Sequence, residues 1–338
     1  MFDILNYIGL LPWIMKWVGR ALSFVTRQPR FETFFAVEML FLGNTEAIAV
    51  SKHQLLHMKP ARNVTIGIMA ISSVSAALIG AYTQLVPGEF VLSAIPLNCI
   101  NALLVASMLF PVEVTKEEDV IVTVGRGGIE EEAVLEQEKV LATAEHAKAK
   151  AEHEALPRYR KIITRDPDVP KKEPFFSFRG DSILSAGRVI LIVLANVVAF
   201  VALAALINDL LGFISPDLSL QATLGIFLYV PALLLGLEPA TATDMSQLMG
   251  LKLVTNEFVV MGQVAGEISS YAPHYQAVLT VFLTSFANIS TAGMIIGTFK
   301  GVVDGERSEL VLKNVARMLL SGVLVSLLSA CIIGVFVW

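Results

Sequence analysis

The sequence is poor in charge, in cysteine and in catalytic signatures, and each shortage excludes something. Only 16% of its 338 residues are Asp, Glu, Lys or Arg, where a soluble domain carries about 25%. Together with 55% hydrophobic residues and a mean hydropathy of +0.67, this excludes an ordinary water-soluble domain. The two cysteines, Cys99 and Cys331, each lie inside an apolar run. They offer neither a disulfide framework nor the paired spacing of a zinc site. Positive charge is short as well: the net charge is -5, which argues against nucleic acid as a partner. No Walker loop, GxGxxG turn or Ser-His-Asp set stands in a fitting context. The first residues, MFDILNYIGLLPWIMKWVGR, lack the basic start and small-residue cleavage site of a secretory signal. They read as the end of a membrane helix whose beginning lies upstream.

What the sequence does have is long apolar runs. A membrane-crossing helix needs about 20 mostly apolar residues, and 64–86, 90–111, 184–213, 276–299 and 314–338 meet that length. Two other stretches, 31–50 and 221–262, are apolar but interrupted midway by polar residues. The first is too short to cross twice, and the second bends at Gly236 to Pro239 and returns. Both are expected to be re-entrant helical hairpins, whose tips need protein or water around them. Lys and Arg cluster at 16–30, 52–62, 112–180 and 300–313, and are missing from 83–93, 211–220 and 263–275. The positive-inside rule then sets the first group in the cytoplasm and the second outside. By this count the first hairpin opens to the cytoplasm, the second to the outside, and Trp338 lies outside.

The expected order is therefore the end of a scaffold helix with an interfacial segment (1–30), a first repeat of one hairpin and two transmembrane helices (31–111), a charged cytoplasmic loop (112–180), a scaffold transmembrane helix (181–213) and a second repeat of the same make-up (214–338). Within the loop, 128–156 is rich in Ala, Glu and Lys and should be helical. The fold class is all-α and polytopic, with inverted repeats, two re-entrant hairpins and broken transmembrane helices.

Ionisable groups inside a bilayer are costly and usually functional. Glu46 stands in GNTEA at the tip of the first hairpin, and Glu257 stands in TNEFV in the second. Each is followed by a helix interrupted by small polar residues, ISSVSAALIGAY (71–82) and SFANISTAGMIIG (285–297). A hairpin, a carboxylate and a broken helix thus occur twice, and such repeats enclose a substrate site near the midplane. The two carboxylates, with Asn44, Thr45, Asn256, Asn288, Ser290 and Thr291, offer hydrogen-bond donors and acceptors. No Arg lies in these segments, so an anionic substrate is disfavoured, whereas a neutral ligand with several hydroxyl and N–H groups fits. Phe258 and Phe286 could cover a planar ring. Ser72, Ser75 and Ser290 could equally serve helix packing. Lys252 could pair with a carboxylate or extend to the interface. The five histidines lie in loops or at helix ends and are expected to be solvated. A channel would want a continuous polar stripe, and a membrane enzyme would want a nucleophile or metal set; neither pattern is present.

These motifs resemble the concentrative nucleoside transporter family, and bacterial members in particular. GNTEA at 43–47 matches that family's G-Q-T/S-E hairpin motif, KLVTNEFV at 252–259 its K-x-V-x-N-E-F motif, and SFANIST at 285–291 its G/S-F-A-N-x-S-S motif. The similarity spans the chain apart from 112–180. It implies a homotrimer in which a transport domain moves against a scaffold, and a nucleoside such as uridine held between the hairpin tips. It also implies that Asn44, Thr45 and Glu46 bind the nucleobase, that Glu257, Asn288 and Thr291 bind the ribose, and that Leu78 and Phe286 line the pocket. Asn44 is one methylene shorter than the family's Gln, while Thr291 keeps the hydroxyl of the family's Ser. Family members begin with two or more helices ahead of the segment that opens this sequence, so an N-terminal truncation is expected.

The same resemblance bears on the coupling ion. Sodium-coupled relatives place an Asn seven residues before the first-hairpin Glu, and here that position is Met39. A thioether is a weak acceptor and a poor ligand for a hard cation. The other sodium positions would be Leu42 and Val74, through backbone carbonyls, and Ser73, through its hydroxyl. Glu38, beside Met39, and Glu46 are the candidate proton carriers. The expected function is a proton-coupled nucleoside symporter of the bacterial plasma membrane, without a cofactor or resident metal. Sodium coupling is the alternative, and a passive polar-solute channel a more distant one.

Overall fold

The break in each apolar segment is written in its local chemistry. Ser, Thr and Asn side chains bond to nearby backbone groups and compete with the helix ladder, and they crowd 71–75 and 284–291. The computed structural model describes residues 10–115, 118–119, 175–215 and 218–338, and the elements in them are helices. They begin with α1 (Leu10–Thr26), α2 (Arg30–Leu42), α3 (Asn44–Val50) and α4 (Lys52–His57). Next come α5 (Pro60–Ala70), a 3-10 turn (Ala76–Leu78), α6 (Ile79–Tyr82), α7 (Gly88–Leu109) and α8 (Phe175–Gly212). The second half holds α9 (Leu220–Leu234), α10 (Pro239–Val254), α11 (Glu257–Val264) and a 3-10 turn (Ile268–Ser270). It closes with α12 (Pro273–Leu283), α13 (Ile289–Val302), α14 (Gly305–Lys313) and α15 (Val315–Gly334). The helix expected within 128–156 lies outside the described residues.

One pattern repeats. α2 and α3 meet at Gly43, α10 and α11 at Thr255 and Asn256; α5 and α12 each start on a proline and stop short. Pro at the first helical position loses no hydrogen bond there. After the stop the chain unwinds for a few residues, then resumes at Ala76 in one copy and Ile289 in the other. The segments 64–86 and 276–299, expected as spans interrupted at 71–82 and 285–297, are each split there. Among the described residues α7 and α15 are long and apolar enough to cross a membrane unbroken, and they pack against each other.

The second hairpin differs in position from the sequence expectation. Gly236 to Pro239 does bend the chain, but that bend joins α9 to α10, which lie side by side. The junction that matches Gly43 is at Asn256, whose side chain accepts from the Val259 amide at 3.0 Å. The hairpin that bears Glu257 is thus α10 with α11, and α9 answers to α1. A Gly-Pro bend is the louder signal in sequence, whereas an Asn cap ends one helix and starts the next without either residue.

The basic loops gather at one end. Arg62 is buried and bonds Glu32 through Nε (2.8 Å) and Nη2 (2.7 Å), and it donates through Nη1 to the Glu118 carbonyl (2.8 Å). Lys59 pairs with Glu118 at 2.7 Å, and the hydrogen bond from the Lys59 ammonium holds that half-buried carboxyl below its usual range. Arg307, ion-paired with the helix-capping Asp304, donates to the Met58 carbonyl at 3.1 Å. From the segment 263–275, His274 reaches the C-terminus: it lies 2.7 Å from the Val337 carbonyl and 2.8 Å from the Leu235 carbonyl, stacked on Trp338. His274 is thus built into the structure rather than solvated, because its ring joins three chain segments. His53 and His57 sit on α4, where His57 contacts the His53 carbonyl; His146 and His153 lie outside the described residues.

The chain folds as two units, residues 1–120 with 186–338 and residues 121–185. The described part of the second is 175–185, the first turns of α8. From residue 186 on, α8 shows apolar side chains outward, among them Leu191, Leu194, Val198, Leu206 and Leu210. It is tied to α9 through Asn208, which donates to Gln221 Oε1 at 3.0 Å and accepts from the Leu220 amide at 2.7 Å.

Candidate substrate site

Glu257 opens α11 and is 3% exposed. A carboxylate this deep needs donors around it, and two reach it from different elements. Tyr82, at the end of the first broken helix, donates its hydroxyl to Oε1 at 3.1 Å. Asn288, in the second unwound stretch, donates Nδ2 to Oε2 at 3.1 Å. Asn288 also caps α13, accepting from the Thr291 amide at 2.8 Å, so one side chain fixes both the restart of the helix and the carboxylate.

An apolar wall adjoins these groups. Leu78, Phe258 and Phe286 are partly buried and pack on one core cluster that includes Tyr82 and Val74. The rings of Tyr82 and Phe258 stand 4.9 Å apart at 55°, a tilted pairing that aromatic quadrupoles favour.

The tip of the first hairpin is more open. Gly43 has φ +102°, so the backbone favours glycine, and a Cβ there would come 2.9 Å from Glu46 Oε2, the movable end of an exposed side chain. Glu46 is exposed and Thr45 half-buried, and the Thr45 hydroxyl donates to Glu46 Oε2 at 2.9 Å. Asn44 is buried; it donates Nδ2 to the Ala70 carbonyl at 3.3 Å and accepts from the Thr45 amide at 2.8 Å. Each end of its amide keeps one further hydrogen-bond position. α3 packs on α13, which brings this tip beside the helix that Asn288 caps.

The ion-coupling candidates divide. The Ser73 hydroxyl shares its one proton between Met39 Sδ and the Ala70 carbonyl, each at 3.1 Å, and Ser73 and Met39 are both buried. Val74 is buried next to Ser73, and Leu42 is half-buried at the end of α2. Glu38, though adjacent to Met39, turns elsewhere and accepts from the Ser51 hydroxyl at 3.0 Å. Among the described residues no three His, Cys, Asp or Glu gather to hold a metal. A cavity lined by Gln28, Glu32, Thr65, Met69 and Phe110 lies at the base of the first hairpin, away from the tips.

Sequence reasoning missed three parts of this arrangement. Tyr82 closes the interrupted segment 71–82, but its role depends on a neighbour from the other repeat. Arg62 reads in sequence only as a loop charge. Lys252 does not extend to the interface: its ammonium donates to the Phe282 carbonyl and the Ser285 hydroxyl, each at 2.6 Å, and it interacts electrostatically with the Glu257 carboxylate without a direct ion pair.

Two hairpins, two broken helices and polar groups convergent at their tips define a discontinuous-helix secondary transporter. The model of the family described as "Na+ dependent nucleoside transporter C-terminus" matches residues 90–334, and the chain belongs to this nucleoside transporter family. It is similar to the purine nucleoside transport protein NupG of Bacillus subtilis (strain 168), with 41% identity over all of this chain and 74% of that protein. It also resembles the nucleoside permease NupC of Helicobacter pylori, 24% identical over all of this chain and 72% of that one. Sodium/nucleoside cotransporter 1 of Oryctolagus cuniculus is 23% identical over 99% of this chain and 48% of its own length. Among solved structures, CNTnw in an inward-facing substrate-bound state superposes with a TM-score of 0.77 at 23% identity, covering 99% of this chain and 71% of that one; this likeness concerns the fold. The chain is a polytopic membrane protein that transports nucleosides, and not an enzyme.

Proposed function

We propose that this transporter is a proton-coupled symporter that holds a nucleoside between the two hairpin tips. The observation that carries the site is the bracketing of Glu257 by Tyr82 and Asn288 from two different broken helices. A sugar hydroxyl entering there would donate to a carboxylate already aimed by two neighbours. In this reading Glu257, Asn288 and Thr291 take the ribose, Asn44, Thr45 and Glu46 the base edge, and Leu78 and Phe286 the faces of the ring. Purine nucleosides are the favoured substrates. The shorter Asn44 leaves room for a two-ring base, and the Bacillus relative is named for purine nucleosides. Uridine is the smaller competitor.

The proton reading is supported by what stands at the sodium positions. Met39 brings sulfur where a hard cation needs oxygen, and the Ser73 hydroxyl is donated to that sulfur. Glu38, a buried carboxyl that accepts from the Ser51 hydroxyl, is the proton carrier of choice, with Glu46 second. Sodium coupling is the second reading, favoured by the family's own description. Because α9 answers to α1, the reading takes α1 to α7 and α9 to α15 as the two repeats in place of the expected 31–111 and 214–338, with 181–213 as a scaffold helix between them and 112–180 as the cytoplasmic loop. It also extends to a homotrimer in the bacterial plasma membrane, where the apolar face of α8 would meet lipid or sister subunits.

The test is uptake of labelled inosine and uridine into proteoliposomes. Saturable uptake of both, with inosine the stronger competitor, is expected. Absence of uptake of either nucleoside contradicts the site.

A further inference from the structure

One sequence distance separates Gly43 from Asn256, Pro60 from Pro273, Ala70 from Leu283 and Ala76 from Ile289. The same distance separates Met39 from Lys252. Lys252 therefore stands in the second repeat where Met39 stands in the first. Both are fully buried on the first arm of a hairpin, and both reach the unwound stretch of a broken helix. Their chemistry differs. Met39 offers a neutral sulfur that accepts from Ser73. Lys252 offers an ammonium that donates to the Phe282 carbonyl and the Ser285 hydroxyl, each at 2.6 Å, and lies 4.5 Å from the centre of the Phe282 ring. The Ser285 hydroxyl is in turn 2.6 Å from that of Ser326 on α15.

Burying an ammonium is costly unless several groups replace its water. Here the replacements are a carbonyl from the last turn of α12, a hydroxyl and a ring face. The last turn of a helix is the negative end of its dipole. In transporters built from discontinuous helices, such carbonyl ends are where coupling cations bind. A side chain that delivers its own positive charge to that place makes a free ion unnecessary there.

We propose that Lys252 is a tethered cation that replaces a mobile one in the second repeat. It pins the first arm of the hairpin to the unwound stretch 284–288, and so positions Asn288 and Glu257 for the nucleoside. Lys252 is a positioning residue, since its ammonium touches backbone and Ser285 rather than substrate. The proposal rests on Glu257 and Asn288 being substrate ligands, and the experiment separates the two claims.

Inosine affinity is measured by calorimetry on the purified full chain in detergent, with choline, sodium or methylammonium chloride as the salt. Wild type should bind equally in all three as far as this position is concerned. Lys252→Ala should bind about tenfold more weakly in choline, the loss of about one charged hydrogen bond from a mispositioned Glu257, and should regain most of that affinity in methylammonium. Lys252→Met fills the space without charge, and should bind weakly whatever the salt. Wild-type affinity in Lys252→Met, or a Lys252→Ala defect that no cation repairs, overturns the proposal. If Lys252→Ala is not recovered folded, Ser285→Ala decides: weaker binding by a few fold supports the role, and unchanged binding overturns it. A wild-type protein that binds no inosine fails the site reading itself.

Discussion

The hydroxyl of Tyr82, in the first repeat, donates to the carboxylate of Glu257, in the second, at 3.1 Å. This bond crosses from one broken helix to the opposite hairpin, so the two halves of the proposed substrate site set each other's geometry. Asn288 holds the other carboxylate oxygen, which leaves the group aimed but still able to accept from a ligand, since an ionised carboxylate has about four lone-pair positions.

Replacing that carboxylate tests the proposed ribose contact. Carboxylate hydrogen bonds are worth about 1.5–3 kcal/mol, so Glu257→Gln should weaken inosine binding by roughly tenfold to hundredfold. Tyr82→Phe, which keeps the ring against Phe258 and removes one donor, should cost less, about threefold to tenfold. Calorimetric titration checks both. Equal affinity of Glu257→Gln and wild type would remove the carboxylate from the site.

Asn44 should influence which base is taken. Asn44→Gln adds one methylene at the first hairpin tip and takes space from a two-ring base, so the ratio of purine to pyrimidine nucleoside uptake should fall. Identical competition profiles before and after would mean that Asn44 serves only its bonds to Ala70 and Thr45.

The Arg62–Glu32 pair at the base of the first hairpin should dominate stability there. Both side chains are buried, at 1% and 5% exposure. Removing one partner strands a charge, at a cost of about 3–5 kcal/mol. Arg62→Met should therefore lower thermal stability in detergent sharply, and the double change Arg62→Met with Glu32→Leu should recover much of the loss. A double variant as unstable as the single one would show that the charges are not the cause.

Much of this site is legible in the sequence, and each exception has a physical cause. The hairpin at 31–50, the carboxylates Glu46 and Glu257 and the interrupted helices are local patterns, because a polar residue in an apolar run is visible by itself. The second hairpin is displaced from its expected position because Gly236 to Pro239 is a stronger breaker by composition than Asn256, although Asn256 ends α10 by capping α11. Tyr82, Arg62 and Lys252 escape sequence reading for a different reason. Each acts on a residue 30 or more positions away, and a buried polar group reveals its partner only when the chain is folded. Met39 and Ser73, paired here through a sulfur contact, can be matched from sequence only through the family resemblance.

Met39 gives the most direct handle on ion choice. Met39→Asn replaces sulfur by a carbonyl oxygen beside Ser73 and the Ala70 carbonyl, which suits a hard cation. Inosine binding should then rise with sodium concentration, whereas wild-type binding should not. A variant as indifferent to sodium as the wild type would show that Met39 is not what excludes that ion.

The central claim, nucleoside import driven by protons, is tested most directly by labelled inosine uptake into proteoliposomes with one gradient imposed at a time. A pH gradient, acidic outside and without sodium, should drive accumulation above equilibrium, and a sodium gradient at equal pH should give equilibration only. Accumulation driven by sodium alone, with none driven by pH, would contradict the account.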